Sequence, residues 1–206
     1  MIKGIDVSHN NGRVNWDEVK SAGVKFAMIR VGYGKSNLDR EFYRNVNGAL
    51  SHGLQIGIYH YSYALNNADA EKEAAFVIKT LTEAGLTANK VIGIFYDMED
   101  EDGYKARHGM PSRQALTNFC SIAVNKFWKH GYVAGVYCNK DWYKNKLHFN
   151  QLGGCALWLA EPGKAKPSIK CNIWQYTFTE KIAGKTFDAD IMTVSYTHLM
   201  CIRDRP

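Results

Sequence analysis

Residues 111–138 read PSRQALTNFCSIAVNKFWKHGYVAGVYC, and this stretch decides the fold. Leu116, Phe119, Cys120, Ala123, Val124 and Phe127 recur every three or four residues, the spacing of one helix face. Ser112, just after Pro111, suits the N-cap, where a side-chain oxygen takes up an orphan backbone N–H. Gly131 stands just past the last turn, where a left-handed residue ends a helix and glycine adopts it without a Cβ clash. The apolar run Tyr132–Cys138 then reads as a buried strand.

The same phrase of helix, glycine, short gap and strand recurs upstream. Trp16–Ala22 ends at Gly23 and leads into Lys25–Val31. Asp39–Ser51, with Phe42, Val46, Ala49 and Leu50 on one side, ends at Gly53 and leads into Gln55–Tyr63. Ala68–Ala84, with Ala74, Val77, Ile78 and Leu81 at helical spacing, ends at Gly85 and leads into Val91–Tyr96. Ile2–Val7 is the first strand, followed by an Asn11-Gly12 turn. Strands alternating with helices imply parallel strands with helical crossovers.

Downstream the phrase shortens. Apolar runs at Ala156–Ala160, Asn172–Tyr176 and Thr186–Ile191 are separated by gaps too short for full crossovers. Eight strands in 206 residues predict an α/β fold, an irregular (β/α)8-type barrel with its late helices shortened or missing. Residues 1–193 form this single domain.

Composition fits that picture. Apolar content is 46% and charged content 22%, ordinary for a globular chain. No run is long and apolar enough for a membrane span, and the N-terminus enters a strand without a signal-peptide shape. The net charge of +6 is scattered, without the basic, aromatic-interleaved stripe of a nucleic-acid surface. The five cysteines form no CxxC pair and have no histidine at ligand spacing, so free buried thiols are expected and no metal or other cofactor is implied.

In such barrels chemistry sits at the C-terminal ends of the strands. The fourth strand ends in Asp97-Met98-Glu99. Residues two apart on a strand share a face, so both carboxyls should project together. Two such groups do not ionise independently; one should keep a proton near neutrality beside a partner that stays charged. That arrangement suits a general acid. The alternative is a strand running into a solvated acidic loop through Glu101 and Asp102. The other strand ends contribute Asp6, Tyr33, Tyr61, Tyr137, Trp158, Gln175, Asp188 and Asp190, an acidic mouth rich in aromatics. Sugar polymers need such a mouth, with aromatic faces for the rings and carboxyls for the glycosidic bond.

The segments DVSHNNGRVNW, FAMIRVGYG, GIYHYSYA, IFYDMED, GVYCN, LWLAEP, IWQYT and FDAD together resemble the family 25 glycoside hydrolases, lysozymes that cut bacterial peptidoglycan. The resemblance runs from Ile2 to about Ile191 and implies an irregular barrel with late helices lost. It implies Glu99 as the general acid at the bond between N-acetylmuramic acid and N-acetylglucosamine. Asp97 matches the second essential carboxylate, which either orients the N-acetyl group or positions water. Asp6 and Asp188 match supporting acids; Asp188 is preferred to Asp190 because it directly follows Phe187. Tyr61, Tyr137, Trp158 and Gln175 match cleft positions that contact substrate, with Tyr33 and Asp190 beside them. The family often has Gln where Asn10 or Asn11 stands here. A monomer acting at the cell wall, secreted or released by lysis, is expected.

Two other functions fit parts of the pattern: an inactive glycan-binding barrel, and a metal-dependent hydrolase using Asp6, His60, Asp97 and Asp188. The first does not require a proton donor, yet both members of the DxE pair are present. The second needs more histidines than His9 and His60 at ligand positions.

Residues 194–206, VSYTHLMCIRDRP, fit no element of the barrel. Their codons can form an inverted repeat like a sequencing adapter translated on both strands. The segment, Cys201 included, is read as non-native and loosely packed.

Overall fold

Each glycine-closed helix delivers the chain into a strand, and the strands close on one another. The computed structural model describes residues 2–193, so the reading of the tail and of Cys201 lies outside the described residues. The strands are β1 (Ile2–Val7), β2 (Phe26–Tyr33), β3 (Asn37–Leu38), β4 (Gln55–Tyr61) and β5 (Ile94–Asp97), then β6 (Ala134–Asn139), β7 (Ala156–Ala160), β8 (Ile173–Ile182) and β9 (Lys185–Met192). All but β3 form a closed eight-stranded barrel in the order β1-β2-β4-β5-β6-β7-β8-β9, with β9 returning to β1. Short β3 pairs with the end of β2 as a hairpin that the sequence reading did not anticipate.

The eighth barrel strand corrects the all-parallel expectation. β9 runs antiparallel to both β8 and β1. Only Ala183 and Gly184 separate β8 from β9. A two-residue connection can only reverse the chain, because a parallel return needs a crossover of about ten residues or more. Both turn residues have positive φ, 48° and 80°, as the twist of a tight hairpin demands.

The helices are α1 (Trp16–Ser21), α2 (Phe42–Ser51), α3 (Asn67–Glu83), α4 (Tyr104–Arg107) and α5 (Arg113–Lys129). Among the described residues, only single turns at Trp142–Lys146 and Phe149–Gln151 join β6 to β7, and no helix joins β7 to β8. The late helices are therefore missing. No helix of the described residues is long and apolar enough to cross a membrane. The expected stripe on α5 is buried from Leu116 to Phe127, and the Ser112 hydroxyl caps it by accepting from Ala115 N–H at 3.2 Å. α2 ends at Ser51 as expected but departs from expectation at its start and on one face. It starts at Phe42 because Asp39 is engaged elsewhere, accepting from Glu41 N–H and from the Arg30 guanidinium. Leu50 points outward, 41% exposed.

Two apolar layers result. Ile56, Ile58, Ile94 and Tyr96 face outward toward the helices, with β4 against α2 and β5 against α5. Phe26, Met28, Phe95, Trp158 and Ile173 fill the barrel itself. The interior is so full that a Cβ on Gly4 would lie 2.3 Å from the Phe26 ring. A barrel packed this tightly along its axis leaves its open space at the mouth.

Candidate active site

Strand register builds the mouth. Tyr61, Asp97, Tyr137 and Trp158 are successive partners across β4, β5, β6 and β7. Asp6 and Asp188 are partners across β1 and β9. Alternation turns Phe95 and Asp97 inward and Tyr96 and Met98 outward, so Glu99 again faces the mouth. The outcome is a cleft of about 570 Å3 lined by Asp6, Asp97, Glu99 and Asp188 together with Tyr61, Tyr137, Trp158 and Gln175. Tyr33 stands in an adjoining recess of about 350 Å3 that shares Arg30 and Tyr61 with the cleft.

Asp190 differs from the rest. It is wholly buried and does not line the cleft. Because β9 is antiparallel, Asp188 lies level with Asp6 at the rim, while Asp190 lies level with Gly4, one layer deeper. There it accepts from Trp158 Nε1 at 2.7 Å. The position assigned to it as a substrate contact is therefore occupied by a floor residue that braces the Trp158 indole. His60 also turns away from the mouth. It is buried against Phe76 and Tyr96 on the outer face of β4, and burial lowers its pKa to about 3. Among the described residues no three His, Cys, Asp or Glu side chains stand where they could hold a metal.

A hydrogen-bond relay fixes the rear of the cleft. Gln175 donates through Nε2 to Asp6 Oδ2 and accepts the Tyr137 hydroxyl on Oε1, both at 2.8 Å. In the first loop, Asn10 N–H donates to Ser8 Oγ, and Ser8 N–H donates to Asn11 Oδ1. Both asparagines border the cleft.

Charge crowding sets the proton affinities. Glu99 is pushed up to about 7, first by burial and then by the charge of Glu101, with Lys105 opposing. Asp97 is raised well above the usual carboxylate range by burial and by Glu99, again opposed by Lys105 and by Arg30. Asp6 rises to about 8 through burial and Asp188, and Asp188 to about 6 through burial and Glu101. The expected contrast between one raised and one ordinary carboxyl is thus absent in the free protein. Both members of the pair are raised, because both are buried. Asp97 Oδ1 has no hydrogen-bond partner among the described residues.

Four cleft features escaped the sequence reading. Tyr59 lines the cleft, as strand alternation from Tyr61 could have shown. Phe178, 46% exposed, sits at its edge because β8 runs beyond Tyr176. Trp142 reaches it from the single turn after β6. Lys105 lies buried behind it, and a lone lysine in a polar loop gives no sequence signal of that.

An acid-walled cleft at the C-terminal mouth of a β/α barrel, bordered by aromatic rings, is suited to breaking glycosidic bonds. Residues 5–185 match the family model for glycosyl hydrolases family 25, and the chain belongs to that family. It is 28% identical to the autolytic lysozyme of Clostridium acetobutylicum, over 92% of this chain and 55% of that protein. It is 26% identical to lysozyme M1 of Streptomyces globisporus, over 92% of this chain and 66% of that protein. The chain thus spans between half and two thirds of the length of these relatives. A solved family 25 glycosyl hydrolase from Bacillus anthracis superposes with a TM-score of 0.84 at 22% identity, covering 98% of this chain and 93% of that one. The bacterial lysozyme of Streptomyces coelicolor gives 0.77 at 22% identity, covering 98% and 97%. These last two likenesses establish the shared fold.

Proposed function

We propose that the chain hydrolyses the β-1,4 bond between N-acetylmuramic acid and N-acetylglucosamine in bacterial peptidoglycan. One observation carries the reading: Asp97 and Glu99 leave the same strand end into one acidic cleft, where burial and the charge of Glu101 push the Glu99 carboxyl up to about 7. A carboxyl with that proton affinity is matched to giving a proton to a leaving sugar oxygen near neutrality.

In this reading Glu99 is the general acid. Once Glu99 holds the proton, its repulsion of Asp97 is gone; burial still raises the Asp97 carboxyl, and Lys105 and Arg30 oppose that by favouring its ionised form. Asp97 then faces the positive charge that grows at the anomeric carbon, and its unpartnered Oδ1 is an acceptor for the substrate's N-acetyl N–H. Asp6 and Asp188 support the pair from the opposite rim, with Asp6 held by Gln175. Tyr61 offers a ring face to the glycan, while Tyr137 and Trp158 pack the floor.

The test is digestion of purified Gram-positive walls with analysis of the new reducing ends. Muramic acid at those ends is the expected result. N-acetylglucosamine there, or intact walls after long incubation, would refute the assignment.

A further inference from the structure

Lys105 belongs to α4, one short turn after the acidic run, and has no solvent exposure. A buried ammonium is costly unless it is paired. Its Nζ donates to the Glu99 carbonyl at 2.8 Å and to the Ser62 carbonyl. It therefore bridges the chain just beyond β4 and just beyond β5. Its charge lies 5.7 Å from the Tyr61 ring centre and 5.9 Å from that of Trp142, two cleft-lining rings. Its backbone N–H and that of Ala106 are both taken by Asp100, which locks the turn. The groups around it are Asp97 on β5, Glu73 on α3, Cys120 on α5 and Asp100 in its own loop. Glu99 in turn feels Glu101, Asp102 and, from β9, Asp188. A tie between two carbonyls requires only donors. A positive charge beneath two crowded carboxyls does more, since it favours the state in which one of them is ionised.

We propose that Lys105 is the positioning residue of the Asp97–Glu99 pair: its buried ammonium pins the turn that carries Glu99 and supplies the positive charge against which one of the two carboxyls stays ionised. The proposal rests on the assignment of that pair as the acid machinery. It makes Lys105 responsible for the acidic limit of the working pH range, because without it both carboxyls would stay protonated to higher pH.

The test is Lys105→Met, which keeps the length of the stem and removes the charge. Carboxyl carbons of labelled protein are titrated by NMR, with signals assigned through Glu99→Gln and Asp97→Asn, and the pH dependence of kcat/KM is recorded alongside. The first deprotonation of the pair should move to higher pH by about half a unit or more, and the acid limb of the rate profile should move with it. An unmoved titration with activity lowered by one factor at every pH would overturn the proposal, leaving Lys105 as a fastening alone. If the variant does not fold, the nitrogen-15 signal of Lys105 in the unsubstituted chain decides. A slowly exchanging, charged ammonium at working pH supports the proposal, and a neutral amine overturns it. Both NMR readings are made without substrate, so walls left intact by the unsubstituted chain would refute the muramidase assignment separately.

Discussion

Gln175 donates its amide hydrogen to Asp6 across the rear of the cleft at 2.8 Å, and this bond links β8 to β1 over the intervening β9. The other end of the same amide takes the Tyr137 hydroxyl. Every polar atom in this relay is buried, so each partner's loss strands another. Gln175→Leu should lower stability by about 1–3 kcal/mol, the cost of an unsatisfied buried polar group, and should raise the proton affinity of Asp6 further. Thermal unfolding checks it; an unchanged midpoint would mean that the relay contributes nothing.

The carboxyl cluster should give the free protein an acid-biased stability. Asp6, Asp188 and Glu99 sit at about 8, 6 and 7, above their ordinary values. A group raised on folding stabilises fully below its unfolded pKa and loses that contribution as pH climbs through the folded one. Stability should therefore fall between about pH 5 and pH 8. Glu161 acts in the opposite sense, lowered to about 2 by its bond from Lys140, but its window lies below about pH 4.5. Scans of Tm against pH should show the decline, and Asp6→Asn should flatten it. A Tm that rises across this range contradicts the charge assignment.

The β8–β9 turn holds strain that a substitution can remove. Ala183 is the non-glycine residue with positive φ among the described residues, at 48°. Asparagine tolerates that conformation and alanine resists it. Ala183→Asn should raise stability by about 0.5–1 kcal/mol, read from chemical denaturation. A loss of stability would mean that Ala183 is not a source of strain in this turn.

Phe178 is an exposed aromatic at the edge of an acidic cleft, where no packing role accounts for it. Phe178→Ala should raise KM for wall fragments several-fold and leave kcat nearly unchanged, the signature of a contact made equally in ground and transition states. Phe178→Tyr should restore KM. An unaltered KM would place the glycan elsewhere.

Much of this was legible in the sequence, for reasons that differ by element. Helices closed by glycine leave a strong periodic trace, so the first five barrel strands and the α5 stripe could be read directly. The DxE pair was legible because its carboxyls interrupt an apolar strand. The antiparallel last strand was hidden, since its turn is written Ala183-Gly184 rather than Asn-Gly and its gap resembles the other short ones. That hidden reversal is why Asp190 was placed in the cleft and belongs in the floor. Tyr59 faces inward with Tyr61, and His60 outward, by plain alternation along β4. The burial of Lys105 depends on how a loop folds over β4 and β5, which no local pattern encodes.

The proton on Glu99 is the core of the account, and Glu99→Gln tests it most directly, because the amide keeps the shape and cannot give up an acidic hydrogen. The rate of reducing-end release from peptidoglycan should fall about 100-fold or more, with binding to walls retained. In the unsubstituted chain the same rate should decline above about pH 7, where Glu99 loses its proton. A variant that clears walls at the original rate would contradict the account.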